Sequence, residues 1–257
     1  MQKLKLRFFG TNGWYSTKTG STVCAALDYG EGLIVLDAGE GLYKLAEEKI
    51  RAKKVDLFLS HFHLDHIFGL HLLPRLVWAK KIDIFGQPGT KKVLEGIINH
   101  PFTASISELK SIGLQIRIHE LSEGKHKNAG RSYFMETAPL KHADTAFGFR
   151  FEFGGKIVSY CLDTGPCKNL VLLGREADVL ITECGMLPRE KSNASWPHLS
   201  PEAAARAAKK ARCKNLILTH FAAHLYKDPT SRKAAQNSAR RIFPRTFAAY
   251  DGMEFEV

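Results

Sequence analysis

The sequence predicts an α/β fold in which two β-sheets pack face to face, with helices on their outer surfaces. Three observations predict it. Short apolar runs bounded by turn residues recur in both halves of the chain. Each half also carries segments of helical period, so each sheet has helices to cover its second face. No Pro/Gly/Ser-rich linker or internal repeat divides the halves, and 257 residues at 44% hydrophobic content suffice for a large core. Residues 1–257 are therefore read as one domain.

Residues 4–9 alternate basic and apolar side chains, the period-two mark of a strand. Residues 21–29 and 32–36 are β-like runs around the turn Gly30-Glu31-Gly32. Residues 42–50 have helical period, and 55–60 form a short apolar run read as a buried strand. A helix is expected from Asp65 or His66 toward Trp78, with Ile67, Leu70, Leu73 and Val77 on one face and a kink at Pro74. Residues 82–85 read as a strand and 91–99 as a helix. Four β-like runs follow at 115–118, 133–137, 146–153 and 156–161, the last two joined by a hairpin turn at Gly154-Gly155. A helix near 169–175 precedes a strand at 179–182. Ser200 is an N-cap and Pro201 suits the first position of an alanine-rich helix reaching Arg212. Residues 216–219 read as a buried strand and 231–242 as a helix, before short closing strands. Residues 101–110, 120–131 and 186–196 read as loops.

Charge and cysteine content narrow the function classes. The formal charge is +11, with basic clusters such as Lys53-Lys54 and Lys209-Lys210-Arg212-Lys214. That balance favours polyanionic partners, but no basic run is long enough to be an arm and no RNA-binding motif with interleaved aromatics occurs. The five cysteines are scattered with no Cys-x-x-Cys pair, which argues against a disulfide framework or a thiolate zinc knuckle. No run approaches the roughly 20 apolar residues of a membrane helix, and no signal core follows Met1. The expected location is the cytoplasm, with no membrane partner.

The chemistry is concentrated in His61-Phe62-His63-Leu64-Asp65-His66, four potential metal ligands in six residues directly after the 55–60 strand. Loops leaving the C-terminal ends of strands carry the chemistry of layered α/β proteins. His61 and His63 alternate in an extended segment and can point the same way. Asp65 and His66 follow where the chain turns, so one segment can serve two neighbouring ions. A two-ion hydrolase needs further neutral imidazoles and a bridging carboxylate. His142, Asp163 and His220 each follow a strand-like run and are the candidates. Each alone reads as a turn or cap residue; the repeated pattern of strand then ligand is what singles them out. His71, His100, His119, His126 and His224 are set aside.

With these residues in place, the chain resembles the metallo-β-lactamase superfamily, and within it the ribonuclease Z-like phosphodiesterases. Val35-Leu36-Asp37-Ala38-Gly39-Glu40-Gly41 looks like the Asp-x-Gly-Glu-Gly segment of that branch, and His61 to His66 like the superfamily's binuclear motif. His142, Asp163-Thr164 and Leu218-Thr219-His220-Phe221 look like its later motifs. The resemblance implies a four-layer αββα sandwich over 1–257 with the ions at one edge between the sheets. It implies one ion on His61, His63 and His142, a second on Asp65, His66 and His220, and Asp163 bridging them. Asp37 would be a structural residue beside the site. Glu183 stands where the family has a Glu, and His198 where it has a catalytic His, ahead of Ser200. A Glu that orients a His beside two ions makes a proton donor for a leaving oxygen, so Asp65, Glu183 and His198 are the catalytic candidates.

The expected cofactors are two divalent ions, zinc first, with manganese or iron compatible with the carboxylates. The chain departs from ribonuclease Z at Thr182, which stands where that branch has the His of a His-Glu-Ala-Thr segment, and in two further places. No tRNA-gripping arm fits between His142 and Asp163, and Ser16-Thr17-Lys18-Thr19-Gly20-Ser21 replaces a Pro-Thr-x-x-Arg-Asn-like segment. The expectation is an arm-less phosphodiesterase acting on RNA ends, cyclic nucleotides or small cyclic phosphodiesters, with homodimerisation by analogy. A lactone or thioester hydrolase on the same ions is the alternative, and a non-catalytic scaffold is a third. Residues 186–196, just ahead of His198, are placed as a lid.

Overall fold

The structure, a computed structural model, describes residues 4–48, 52, 54–127 and 130–257. The chain opens with β1 (Lys5–Gly10), β2 (Asn12–Gly13), β3 (Cys24–Asp28) and β4 (Leu33–Leu36), then α1 (Leu42–Glu47), β5 (Val55–Phe58) and α2 (Leu64–Ile67). After a 3-10 stretch at Phe68–Ala79 come β6 (Lys81–Gly86), α3 (Thr90–Ile97), α4 (Ile106–Ser111) and β7 (Gln115–Glu120). The second half holds β8 (Gly124–Lys127), β9 (Phe134–Pro139), β10 (Phe147–Phe153), β11 (Lys156–Cys161), α5 (Lys168–Leu173) and β12 (Val179–Cys184). It ends with α6 (Pro201–Ala211), β13 (Asn215–Ala222), α7 (Pro229–Arg240), β14 (Thr246–Ala248) and β15 (Glu254–Glu256).

The strands form two sheets, ordered β15-β1-β3-β4-β5-β6-β7 and β14-β13-β12-β11-β10-β9-β8, with β2 beside β13. Each sheet is antiparallel at one side and parallel at the other: β4 to β7 run parallel in the first, β11 to β14 in the second. Parallel neighbours need crossovers, and the helices supply them, which is why the outer faces are covered.

Three apolar layers make this a four-layer αββα sandwich. Between the sheets lie Leu6, Phe8, Phe58, Phe149, Phe151 and Ile217. Leu42, Leu45, Leu57, Leu70 and Leu94 fill the space between the first sheet and its helices. Leu170, Leu180, Ala204, Ala208 and Leu218 do so for the second. Alternation along a strand sorts side chains to the two faces: in β13, Ile217 enters the central layer while Leu216 and Leu218 enter the outer one.

Several elements depart from the sequence reading. The expected helix toward Trp78 is one short α turn followed by 3-10 geometry, and its buried face is Ile67, Leu70, Leu73, Leu76 and Ala79. That spacing of three is the 3-10 period; Val77, expected inside, is exposed. Pro74 cannot donate an α-type bond, and Gly69 packs so tightly that a Cβ would lie 2.2 Å from the Gly39 carbonyl oxygen. The 101–110 stretch read as loop contains all but the last residue of α4, started by a capping box between Ser105 and Glu108. The 120–131 stretch contains the edge strand β8. The continuation of α1 to Ile50 lies outside the described residues, as does Lys53. Ser200 caps α6 by accepting from the Ala203 amide, and Gly154 and Gly155, both at positive φ, make the β10–β11 turn.

One ionic cluster ties the sheets together away from the candidate site. Asp56 on β5 and Asp83 on β6 face each other and are almost fully buried. Arg131, just ahead of β9, reaches Asp56 with Nε at 3.0 Å and Asp83 with Nη2 at 2.6 Å. Burial works to raise the Asp83 pKa, but hydrogen bonds from His119, Lys81 and Arg131 overcome it and hold it at about 2. A depressed carboxylate stabilises the fold above its ordinary pKa of 3.8, and that contribution is lost as pH falls toward 2. Arg131→Met is expected to cost about 3 kcal/mol, the low end for breaking a buried pair, because Tyr133, Lys81 and His119 still bind the two carboxylates. Urea midpoints at pH 7 and pH 3 check this: the gap between variant and wild type should narrow at pH 3.

Candidate metal centre

The first cluster gains its geometry from the exit of β5. His61 and His63 follow the strand, and His63 is itself the N-cap of α2, in extended backbone at φ −61°, ψ 145°. Asp65 and His66 fall in the helical turn, so their side chains take a different direction from His61 and His63. The Phe147 amide donates to the Ser60 carbonyl, fastening this exit to β10 of the opposite sheet. His142 sits beyond β9, and Asp163 two residues beyond β11. His220 lies inside β13 rather than past its end. The register between β12 and β13 shifts there, pairing Glu183 with Thr219 and Cys184 with Phe221. His220 is the bulged residue, at φ 46°. Asp163 and Asp37 also have left-handed backbone, at φ 47° and 57°, conformations that persist where surrounding structure enforces them. Gly13 of β2 lies against His220 so closely that a Cβ would be 2.4 Å from its ring.

All seven sequence candidates come together at one edge between the sheets. His61, His63, His142 and Asp163 each offer an atom within 4.8 Å of the others, and Asp65, His66 and His220 form a second such group. The groups adjoin: Asp163 Oδ2 lies 3.0 Å from His66 Nε2 and 3.1 Å from His220 Nε2. Those contacts have ion-pair distances but lack hydrogen-bond alignment, and Asp163 Oδ2 has no hydrogen-bond donor among the described residues. His61 Nε2 and both ring nitrogens of His142 are likewise buried without partners. Buried polar atoms left unpaired cost about 1–3 kcal/mol each, whereas atoms aimed at a shared cation need no protein partner.

Protonation differs across the two groups: at His66 and His220 burial is outweighed by the neighbouring carboxylates, which raise both pKa values, so a cation entering there would displace protons. Burial and the neighbouring His66 push the His61 pKa well below its ordinary value, and burial lowers that of His142. Neutral imidazoles are the form that binds metal. Burial disfavours the charged forms of Asp65 and Asp163, but the surrounding histidines outweigh it and hold both carboxylates well below their usual range. The donor set of imidazoles and carboxylates therefore fits a pair of divalent cations.

Supporting residues fix the ligands. Buried Asp37 accepts from the Ser60 amide (2.7 Å), Ser60 Oγ (2.9 Å), the Tyr160 hydroxyl (2.8 Å) and His66 Nδ1 (2.9 Å). With Nδ1 donating, His66 presents Nε2 to the centre. Gly39, two residues after Asp37, approaches the motif so closely that a Cβ would be 2.2 Å from the Asp65 carbonyl oxygen. Glu183 is fully buried and accepts from the Thr164, Gly185 and Leu199 amides at 2.6, 3.0 and 3.1 Å, and from His198 Nδ1 at 2.8 Å. Burial works against a charged His198, but Glu183 outweighs it and raises the pKa to about 9. The His198 ring centroid lies 6.1 Å from that of His142.

A cavity of about 600 Å³ opens onto Asp65, Asp163, His198 and His220. The 186–196 loop contributes Met186, Glu190, Asn193 and Trp196 to its wall. Sequence reasoning left out Trp14, whose amide donates to Asp65 Oδ2 at 2.6 Å, and Asp144, which accepts from His63 Nε2 at 2.9 Å. It also left out the Tyr160 hydroxyl on Asp37. No local spacing marks these residues. His224, set aside, lines the cavity beside Trp14 but belongs to neither ligand group.

Comparisons with known proteins agree with this architecture. A family model described as the β-lactamase superfamily domain matches residues 33–221. The chain is 26% identical to ribonuclease Z of Acaryochloris marina, covering 99% of this chain and 98% of that protein, and 27% identical to ribonuclease Z of Nostoc punctiforme, covering 99% and 96%. The first alignment spans 314 positions against 257 residues here, so that relative carries segments this chain lacks. Among solved structures, the metallo-β-lactamase fold protein YhfI from Bacillus subtilis superposes with TM-score 0.79 at 20% identity over the whole of both chains. Human tRNase Z, short form, gives 0.72 at 21% identity over 98% of both. Yeast PDE1 gives 0.77 at 16% identity over all of both.

Proposed function

Because the chain belongs to the metallo-β-lactamase superfamily, in its ribonuclease Z-like branch, we propose that it is a metal-dependent phosphodiesterase that directs water at a phosphodiester. His61, His63 and His142 would hold one ion, Asp65, His66 and His220 the other, and Asp163 both; its position between the two groups supports that role. Zinc is the first choice for this donor set. When bound, a pair of divalent ions supplies Lewis acidity and lowers the pKa of water. Asp65, its Oδ2 already engaged by the Trp14 amide, orients the attacking water. His198 keeps its Nδ1 proton on Glu183 and delivers the Nε2 proton to the departing oxygen.

The observation that carries this reading is the Glu183–His198 pair on the same cavity as both ligand groups. A lactone or thioester hydrolase does not require that proton donor. The reading takes residues 1–257 as one hydrolase unit, supported by the pairing of β15 with β1. RNA ends and cyclic nucleotides are the substrate classes it covers, and ribonuclease Z relatives support the former. A cytoplasmic location, from the scattered cysteines and the lack of a long apolar run, and a homodimer, by family resemblance, belong to the same reading. Among the described residues, no helix is long and apolar enough to cross a membrane.

The test is a parallel assay of zinc-loaded protein on bis(p-nitrophenyl) phosphate, a 2′,3′-cyclic nucleotide, a lactone and a thioester. Chelator-sensitive cleavage of the phosphodiesters is expected. Turnover confined to the lactone or thioester overturns the reading.

A further inference from the structure

Two exposed indoles, Trp14 at 69% and Trp196 at 53%, line the cavity of the candidate centre. We propose that they are stacking platforms that select a compact phosphodiester, one phosphate carrying an aromatic heterocycle, over a nucleic-acid strand. The inference rests on the phosphodiesterase reading and names its substrate class.

Trp14 is fixed in place despite its exposure. Its backbone is left-handed, at φ 75°, and its amide is tied to Asp65. Asn12 Nδ2 braces the following loop by donating to the Tyr15 and Gly20 carbonyls and to Thr17 Oγ1, at 3.2, 2.9 and 3.0 Å. Asn12 Oδ1 in turn accepts from the buried guanidinium of Arg232. A large indole held out to solvent on strained, braced backbone adds nothing to the core, and such strain collects at ligand sites. Trp196 stands on the other ligand group. Its ring lies parallel to His63, 6.0 Å away and 10° inclined, and also 6.0 Å from His198. The group leaving on the oxygen that His198 protonates therefore departs beside Trp196.

The charge of the cavity wall favours a single phosphate over a strand threaded through it. The chain holds 37 lysines and arginines, yet among the described residues none lines this cavity, and its wall adds the carboxylate of Glu190. Proteins that bind single strands track successive phosphates with a basic groove; here a second phosphate would meet no cation from the wall. The volume, about 600 Å³, falls in the range of small-molecule sites, roughly 300–1,000 Å³. In the reaction, the oxygen of water joins phosphorus and one ester P–O bond breaks. His198 protonates the departing oxygen, and a proton from water replaces the one His198 gave. The products are a phosphomonoester and an alcohol.

The test uses zinc-loaded full-length protein, with Trp14→Ala, Trp196→Ala and the rescue variants Trp14→Phe and Trp196→Phe. Substrates are 2′,3′-cyclic AMP, methyl riboside 2′,3′-cyclic phosphate, which lacks a base, and a twelve-residue oligoadenylate. Each alanine variant should raise the ratio of KM for cyclic AMP to KM for the base-free ester about 10-fold, as loss of base stacking does. Phenylalanine should restore the ratio. Binding of 5′-AMP, read by quenching of indole fluorescence, should depend only weakly on salt, because a mononucleotide lacks the condensed counterions that a strand releases. Alanine variants that match wild type in that ratio, or an oligoadenylate that binds tighter with a several-fold steeper salt dependence, overturn the inference while the phosphodiesterase reading stands. Failure of wild type to cleave any phosphodiester, including bis(p-nitrophenyl) phosphate, overturns both.

Discussion

Asp163→Ala is expected to hold fewer than two divalent ions per chain and to lose about 10³-fold or more of the phosphodiesterase rate. Asp163 belongs to the group of His61, His63 and His142, and its Oδ2 also lies 3.0 Å from His66 Nε2 and 3.1 Å from His220 Nε2 of the other group. Removing it leaves Asp65 Oδ2, 3.2 Å from His220 Nε2 and 3.7 Å from His66 Nε2, as the one carboxylate of the two ligand groups. Two cations held by the adjoining groups would then repel with one negative charge fewer to offset them. Metal catalysis stabilises the transition state by several kcal/mol, and each 1.36 kcal/mol is tenfold in rate. Elemental analysis and circular dichroism, run beside the assay, separate loss of metal from loss of fold. Asp163→Asn keeps the shape and removes the charge, so it should show the same deficit. Full metal content with full activity in either variant would sink the bridging role.

His198→Ala should behave differently: two ions retained and turnover slowed by about 10²–10⁴, the range for a general acid. The defect should be smaller for bis(p-nitrophenyl) phosphate than for a cyclic nucleotide, because p-nitrophenolate leaves without help and a ribose oxygen does not. Glu183 supplies the pH signature. His198 is the proton donor only while charged, and Glu183 raises its pKa to about 9 against the opposing effect of burial. Activity should therefore fall as pH rises through the alkaline range. The stability that the charged imidazole adds runs the same way: it is complete below the ordinary value of 6.5 and lost as pH passes about 9. Glu183→Gln removes the charge, so its alkaline limb should move to lower pH while metal content stays at two. An unmoved limb would show that another group donates the proton.

Much of the centre was legible before any coordinates. The six-residue motif and the three later ligands are short polar signals after apolar runs, and such runs set strand ends locally. His220 shows the limit. Its identity was readable, but its position inside β13 follows from a bulge against β12, a pairing between residues far apart in the chain. The 3-10 stretch after α2 shows another: Ile67, Leu70, Leu73, Leu76 and Ala79 carry a period of three, yet Val77 also fits an α face until Gly69 is seen packed on the Gly39 carbonyl.

What the sequence by itself determined is the sandwich, most of its order of strands and helices, and the identity of the seven polar side chains that gather at its edge, because backbone period and metal-ligand chemistry are properties of neighbouring residues. Only the tertiary structure decided which buried nitrogens lack partners, that Asp37 turns His66 toward the centre, and that Trp14, fifty-one residues from Asp65, touches it. The reason is physical: orientation and desolvation depend on what packs across the gap between two sheets, and that is fixed by contacts the linear order of residues does not contain.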